Sequence, residues 1–329
     1  GVHCKSFGDQ IKQAFQNFSA FFSASRVIYQ VIDSIKQMVT NVIALNTAMV
    51  ELIKVTDGTE NQFNTFLKNA KSNAVELGST VTDLVNATSA FSRLGYTLDE
   101  SEELGRVATI YANVGDDIDN IDQATTSLIS TMKGFGIESD AAISIVDKFN
   151  EVGNKFAISS GGIGDALQRS AASFAAANNT IDESIALVVA ANNVIQDPDT
   201  VGTMWKTVTM RIRGAKTELE EAGLETEYMA ESTASLRDAI KGLTNVDGFG
   251  GFDIMKDEKT FKSTYDIILG IGEVWEKMSD IDQAALLELL AGKRQGNALA
   301  ATLTNLEDLK AALEASKDSA GSAMKEQEI

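Results

Sequence analysis

The stretch FSRLGYTLDESEELGRVATIY, Phe91–Tyr111, is written again 83 residues later as FAAANNTIDESIALVVAANNV, Phe174–Val194. Phe91 matches Phe174, Thr97 matches Thr180, Leu98 matches Ile181, Asp99-Glu100-Ser101 match Asp182-Glu183-Ser184, and Leu104 matches Leu187. A weaker copy lies halfway between them. In MKGFGIESDAAISIV, Met132, Phe135-Gly136 and Asp140 fall 41 residues after Phe91, Leu94-Gly95 and Asp99, so the period is about 41–42 residues. In each copy an apolar helix end runs into Gly95, Gly136 or Asn178, the residue types that best accept the left-handed conformation at a helix C-terminus. The next helix then opens on Thr97, Asp99, Asp140 or Thr180 as candidate caps. Thr97 with Glu100, and Thr180 with Glu183, have the capping-box spacing. A helical hairpin of ~40 residues cannot bury its apolar face alone, so units of this length stack as an array. The alternative is two similar hairpins without common ancestry.

The expected fold is all-α: a long N-terminal amphipathic helix followed by an array of short helical hairpins. From residue 5 to about 55 the chain carries its longest helical pattern. Ile11, Phe15, Phe18 and Phe22 step by 4, 3 and 4, and after a skip Ile28, Ile32, Ile35, Val39, Val42, Asn46, Met49 and Ile53 continue the alternation. These eight residues are the candidate self-association seam, with Asn46 as a polar register device. Tyr29, Ile43 and Val50 widen the stripe, so a fold-back onto the repeats has equal standing. Asp57-Gly58 then breaks the pattern. Helices are expected at about 60–77, 80–94, 99–114, 119–134, 139–152, 162–177 and 182–196.

Pro198, the single proline, marks a second break. A helix is expected from about Gly202 to Glu221, then another, then a glycine-rich loop VDGFGGFDIM at Val246–Met255, and helices at about 260–279, 281–291 and 295–314. The organisation expected is therefore 1–57 as the amphipathic helix, 58–198 as the repeat region, 199–314 as a second helical region containing the 246–255 loop, and 315–329 as a polar linker. The chain begins at Gly1 in mid-pattern, which is expected of a piece of a longer polypeptide.

Composition narrows the function. With 28 Lys and Arg against 47 Asp and Glu, the net charge is −19, so the surface repels nucleic acid and any DNA contact is expected to be passage without specific binding. Cys4 and His3 are the only residues of their kinds, too few for a disulfide framework, a structural zinc site or a base-assisted nucleophile. The acidic run Asp116–Asp122 lacks the Gly and Glu of a calcium loop at its sixth and twelfth positions, and fits capping of a helix near Asp119 or Asp122. SSGGIGDAL, Ser159–Leu167, and LAGKRQGN, Leu290–Asn297, miss the phosphate-loop patterns, the first serving as a turn with Asp165 near the next helix start. The basic island Lys206, Arg211, Arg213 and Lys216 does not lie on one helical face, so pairing with Glu218, Glu220 and Glu221 or with a neighbour's acidic surface is expected. No catalytic, metal or cofactor residues are expected, nor is an apolar run long enough to span a bilayer.

The runs TLDESEELGRVATIYANVGDD, SSGGIGDALQRSAASFAAANNTIDESIALVVAANNVIQDP, WKTVTMRIRGAKTELEEAG and above all LLELLAGKRQGNALAATLTN resemble the tail tape measure protein of long-tailed bacteriophages, of the kind found in phages and prophages of low-GC Gram-positive bacteria. The likeness covers about residues 60–310. It implies a non-enzymatic virion component inside the tail tube, made in the host cytoplasm, which takes part in tail assembly, sets tail length and leaves so that DNA can enter the host. Implied partners are the tail tube, tail-assembly chaperones and further copies of itself. Host membrane and any cell-wall-cleaving domain would involve regions outside this segment. The competing expectation is a helical-repeat scaffold that presents a concave face to a protein partner.

Overall fold

The computed structural model describes the backbone of residues 26–328 and the side chains of 37, 38 and 40–328. Among the described residues the chain is all-α, with one two-stranded hairpin. It divides into two compact units, the first ending at Thr109 and the second beginning at Ile110. Neither Asp57-Gly58 nor Pro198 coincides with that division.

The first unit contains α1 (Arg26–Val55), α2 (Glu60–Glu76), α3 (Val81–Ser92) and most of α4 (Leu98–Val114). Thr59 and Gln62 close a capping box at the start of α2. The core gathers Ala48 and Leu52 of α1, Phe66, Ala70 and Ala74 of α2, Leu84 and Val85 of α3, and Leu98 of α4. Helix α1 therefore folds back on its neighbours through Leu45, Ala48, Met49 and Leu52. Ile11, Phe15, Phe18 and Phe22, and His3 with Cys4, lie outside the described residues, as do the side chains of Ile28, Ile32, Ile35 and Val39.

The second unit continues with α5 (Ile121–Phe135), a 3-10 turn (Ser139–Ala141), α6 (Ala142–Gly153), α7 (Ser160–Ala176), α8 (Ile181–Ile195) and α9 (Pro198–Ile212). Beyond these come α10 (Lys216–Glu221), α11 (Thr233–Leu243), the hairpin β1 (Asn245–Val246) and β2 (Phe249–Gly250), α12 (Thr264–Trp275), α13 (Asp280–Leu303), α14 (Leu306–Lys317) and α15 (Ser322–Gln327). Helix α7 lies at the centre, against α5, α6, α8 and α9. Close approach explains its glycines. A Cβ at Gly164 would sit 2.2 Å from Ser127 Oγ, and one at Gly202 of α9 would sit 2.5 Å from the Ala166 carbonyl oxygen of α7. The fully buried Trp205 of α9 donates from Nε1 to the Leu187 carbonyl of α8 at 2.9 Å, and its ring centroid lies 6.0 Å from that of Phe174.

Several expectations are corrected. The 199–314 region is not separate from the repeats within this unit: α9 packs on α7 and α8, and α14 packs on α6 and α8. Such packing departs from the nearest-neighbour stacking of a solenoid. Residues 315–329 are not a linker as far as they are described, since Ser316, Ser319, Ser322 and Ala323 are buried. The Asp147 carboxylate, itself buried, accepts from the backbone N–H groups of Gly321 at 2.9 Å and Ala323 at 3.0 Å. Asn150 Nδ2 donates to Ser322 Oγ and Glu326 Oε2. Small polar residues here form a docked helix because α6 supplies partners for their backbone, which hydropathy does not register.

The helix expected over 202–221 is cut at Gly214, whose φ of +69° lets Ala215 N–H donate back to the Met210 carbonyl at 2.9 Å and ends α9. The 295–314 helix divides at Thr304-Asn305 between α13 and α14. Part of the expected 246–255 loop is the second half of the β hairpin, whose turn passes through Gly248 at φ +81°. The expected turn at Ser159–Leu167 is instead the start of α7, with Ser159 Oγ accepting from Gly162 N–H at 3.0 Å.

Candidate functional site

The three expected left-handed positions have that geometry: φ is +90° at Gly95, +66° at Gly136 and +62° at Asn178. Thr97 N–H donates to Glu100 Oε2 at 2.8 Å while Glu100 N–H donates to Thr97 Oγ1 at 3.3 Å, and Thr180 with Glu183 repeats the exchange at 2.7 and 3.2 Å. Asp99 is a first-turn residue of α4 rather than its cap. Asp140 does not cap either, because the chain enters α6 through the 3-10 turn, with Ala141 N–H bonded to the Glu138 carbonyl. In the acidic run the cap of α5 is Asn120, whose side chain accepts from Gln123 N–H, and not Asp119 or Asp122. Among the described residues no group of three or more His, Cys, Asp or Glu side chains is placed to hold a metal ion, and no helix is long and apolar enough to cross a membrane.

Of the candidate seam, Val42 and Met49 are half-buried while Asn46 and Ile53 are exposed. Ile43, Val50 and Ile53 are 59%, 43% and 49% exposed, in contrast to Leu52 at 0%. Among the described side chains of α1, the fold-back thus uses one flank and leaves Ile43, Val50 and Ile53 on the other facing solvent.

The basic island does not act as a group. Arg213 places its guanidinium 5.0 Å from the Phe261 ring centroid, and together with Arg211 and Lys216 it lines a cleft of about 440 Å³. Arg211 is 3% exposed, because it falls on the core stripe of α9 three residues after Val208 and seven after Met204. Its Nε donates to the Leu289 carbonyl at 3.1 Å, Nη1 to the Glu225 carbonyl at 2.8 Å, and Nη2 to the carbonyls of Glu227 at 2.8 Å and Glu288 at 2.9 Å. The expected pairing with Glu218, Glu220 and Glu221 does not involve Arg211, whose hydrogen bonds are to backbone oxygens. Burial pushes its pKa down and the Glu225 charge opposes that shift; the guanidinium stays protonated in any case.

Across from it, α13 breaks at Gly292, where φ is +70° and ψ is −180°. Arg294 N–H donates to Glu225 Oε2 at 3.2 Å, and Lys293 Nζ donates to Tyr228 Oη at 2.7 Å. The centre thus ties the end of α9, the 225–228 segment and the LAGKRQGN stretch together. Its chemistry is that of a backbone clamp: a buried cation on four carbonyl dipoles, and a carboxylate on one backbone amide. An arginine on an otherwise apolar helix stripe is the sequence signal that could have found it.

The model of the phage-related minor tail proteins matches residues 71–292, more than half of the 329. The chain belongs to the phage-related minor tail protein family. It is accordingly a phage tail component and a virion protein. The family span takes in both quoted turns together with Arg211 and Glu225, and ends on Gly292. No solved structure matches this tail protein.

Proposed function

We propose that this tail protein is a segment of a tail tape measure protein, and that residues 60–310 belong to folded units of it rather than to the measuring rod. The observation that carries the second part is the interleaved packing of α6–α9 with α13–α15, in which distant stretches of chain share one core. A continuous helix rises about 1.5 Å per residue, and a length ruler must change in that proportion; helices of 12–17 residues turned back on each other do not. The module serves assembly and later delivery inside the tail tube, while long helical stretches set length. It is structural and not catalytic, and holds no cofactor. DNA passes it without specific binding, as the net charge of −19 favours. Tail tube proteins and tail-assembly chaperones are its partners, and further copies of the chain meet along the exposed flank of α1, with Asn46 in the seam. The chain acts in the tail lumen after assembly in the host cytoplasm.

Deleting Phe135–Ala177 from the complete gene tests this. As part of a rod, those residues would shorten tails by roughly 60 Å with infectious particles still formed. The module predicts failed assembly or failed DNA delivery, with no proportional shortening in electron micrographs. Viable, proportional shortening would refute it.

A further inference from the structure

The break in α13 has an unusual economy of hydrogen bonds. In an uninterrupted helix the carbonyls of Glu288 and Leu289 would accept from the N–H groups of Gly292 and Lys293, and Arg294 N–H would donate to the Leu290 carbonyl. Arg211 bonds both of those carbonyls, and the Glu225 carboxylate accepts from Arg294 N–H. Three groups at the break, the carbonyls of Glu288 and Leu289 and the Arg294 N–H, thus take partners from two side chains outside the helix. Gly292 itself occupies a backbone region open essentially to glycine alone. A Cβ there would meet Glu225 Oε2 at 2.9 Å. On both sides the sequence is rich in strong helix formers, Ala284-Ala285-Leu286-Leu287-Glu288-Leu289-Leu290-Ala291 before it and Ala298-Leu299-Ala300-Ala301 after it.

We propose that α13 is a latched helix: Arg211 and Glu225 hold it broken, and their withdrawal lets Gly292 rotate into the helical region so that residues 280–303 join as one rod. Rotation of φ and ψ at Gly292 alone lets the Glu288 and Leu289 carbonyls and the Arg294 N–H take their partners within the helix, so the two arrangements differ in what supplies those three groups. Because Arg211 is near the end of α9, separating α9 from α13 is the event that releases the latch. On the tape-measure reading, that release would turn part of the compact module into an extended helix; the latch itself does not depend on that reading.

The experiment uses the whole chain with Cys4→Ser and spin labels at Ala284→Cys and Thr304→Cys, both exposed positions. Twenty residues of continuous helix separate the labels by about 30 Å, and the broken helix gives a shorter distance. Gly292→Ala, which disfavours the broken backbone, is expected to move the distance to about 30 Å with ellipticity at 222 nm retained. Should Gly292→Ala fail to fold, Arg211→Met decides, since it removes the latch without adding a side chain at the break. The proposal is overturned if Gly292→Ala folds with the unsubstituted distance, if Arg211→Met does so in its place, or if both variants lose their helical signal.

Discussion

The turn at Gly95 and the turn at Asn178 carry one local code in different surroundings. Both reverse the chain through a left-handed residue, and both open the next helix with a Thr–Glu capping box. Around the first, Asp99 and Glu100 are exposed, and the bonds of Glu100 are to Thr97 three residues away. Around the second, the equivalent residues reach across the unit. Asp182 accepts from Lys148 Nζ at 2.7 Å and Ser316 Oγ at 2.6 Å, Glu183 accepts from Ser263 Oγ at 3.3 Å, and Asn178 donates to the Phe261 carbonyl at 3.0 Å. Asn179, which follows, accepts from Tyr265 N–H at 2.9 Å. The same TxDES string thus shapes a turn in one place and also fastens helices from far along the chain in the other.

Paired substitutions distinguish the two turns, each measured by urea denaturation of the whole chain. The largest effect should come from Phe91→Ala and Phe174→Ala. Both rings are fully buried, so each should cost about 3–5 kcal/mol, equal within error because the apolar half of the code does the same job twice. Asp182→Ala should cost about 2 kcal/mol, the scale of lost charged hydrogen bonds tempered by the partial exposure of the pair, while Asp99→Ala should stay within about 0.5 kcal/mol. Thr97→Ala and Thr180→Ala should each cost about 1 kcal/mol, as lost caps do.

The smallest effect is one of pH. Hydrogen bonds from the Thr97 backbone and hydroxyl hold the Glu100 carboxyl below its ordinary value. A depressed carboxyl stabilises the fold above its unfolded value, and that contribution disappears as pH falls through the folded value. Glu100→Gln should therefore flatten the acid limb of the stability profile slightly and leave stability above pH 6 close to that of a simple cap variant.

What the sequence made legible follows the range of the forces involved. The left-handed residues, the Thr–Glu boxes and most helix positions from Glu60 to Ile195 depend on neighbours within a few residues, and they could be read from spacing alone. The 3-10 entry that displaced Asp140 was not visible, because it replaces a side-chain cap with a backbone bond. Nor was the Arg211 centre: its partners are carbonyl oxygens, identical in every residue, and they come from segments up to 78 positions away. The docked tail escaped for a related reason. Its anchors are Asp147 and Asn150, and its own residues look like a solvated linker until those partners are supplied. On α1, the pattern showed an apolar stripe wider than one interface, and the fold-back through Ala48 and Leu52 accounts for one flank of it.

The second turn fastens the C-terminal helices into one interwoven unit while the first acts locally. Native-state hydrogen exchange on the whole chain tests it most directly, with Asp182→Ala and Asp99→Ala compared amide by amide. Asp182→Ala is expected to speed exchange at least tenfold across Leu306–Lys317 and Ser322–Gln327, and Asp99→Ala to confine its effect to the first turns of Leu98–Val114. Equal, purely local effects of the two substitutions would contradict it.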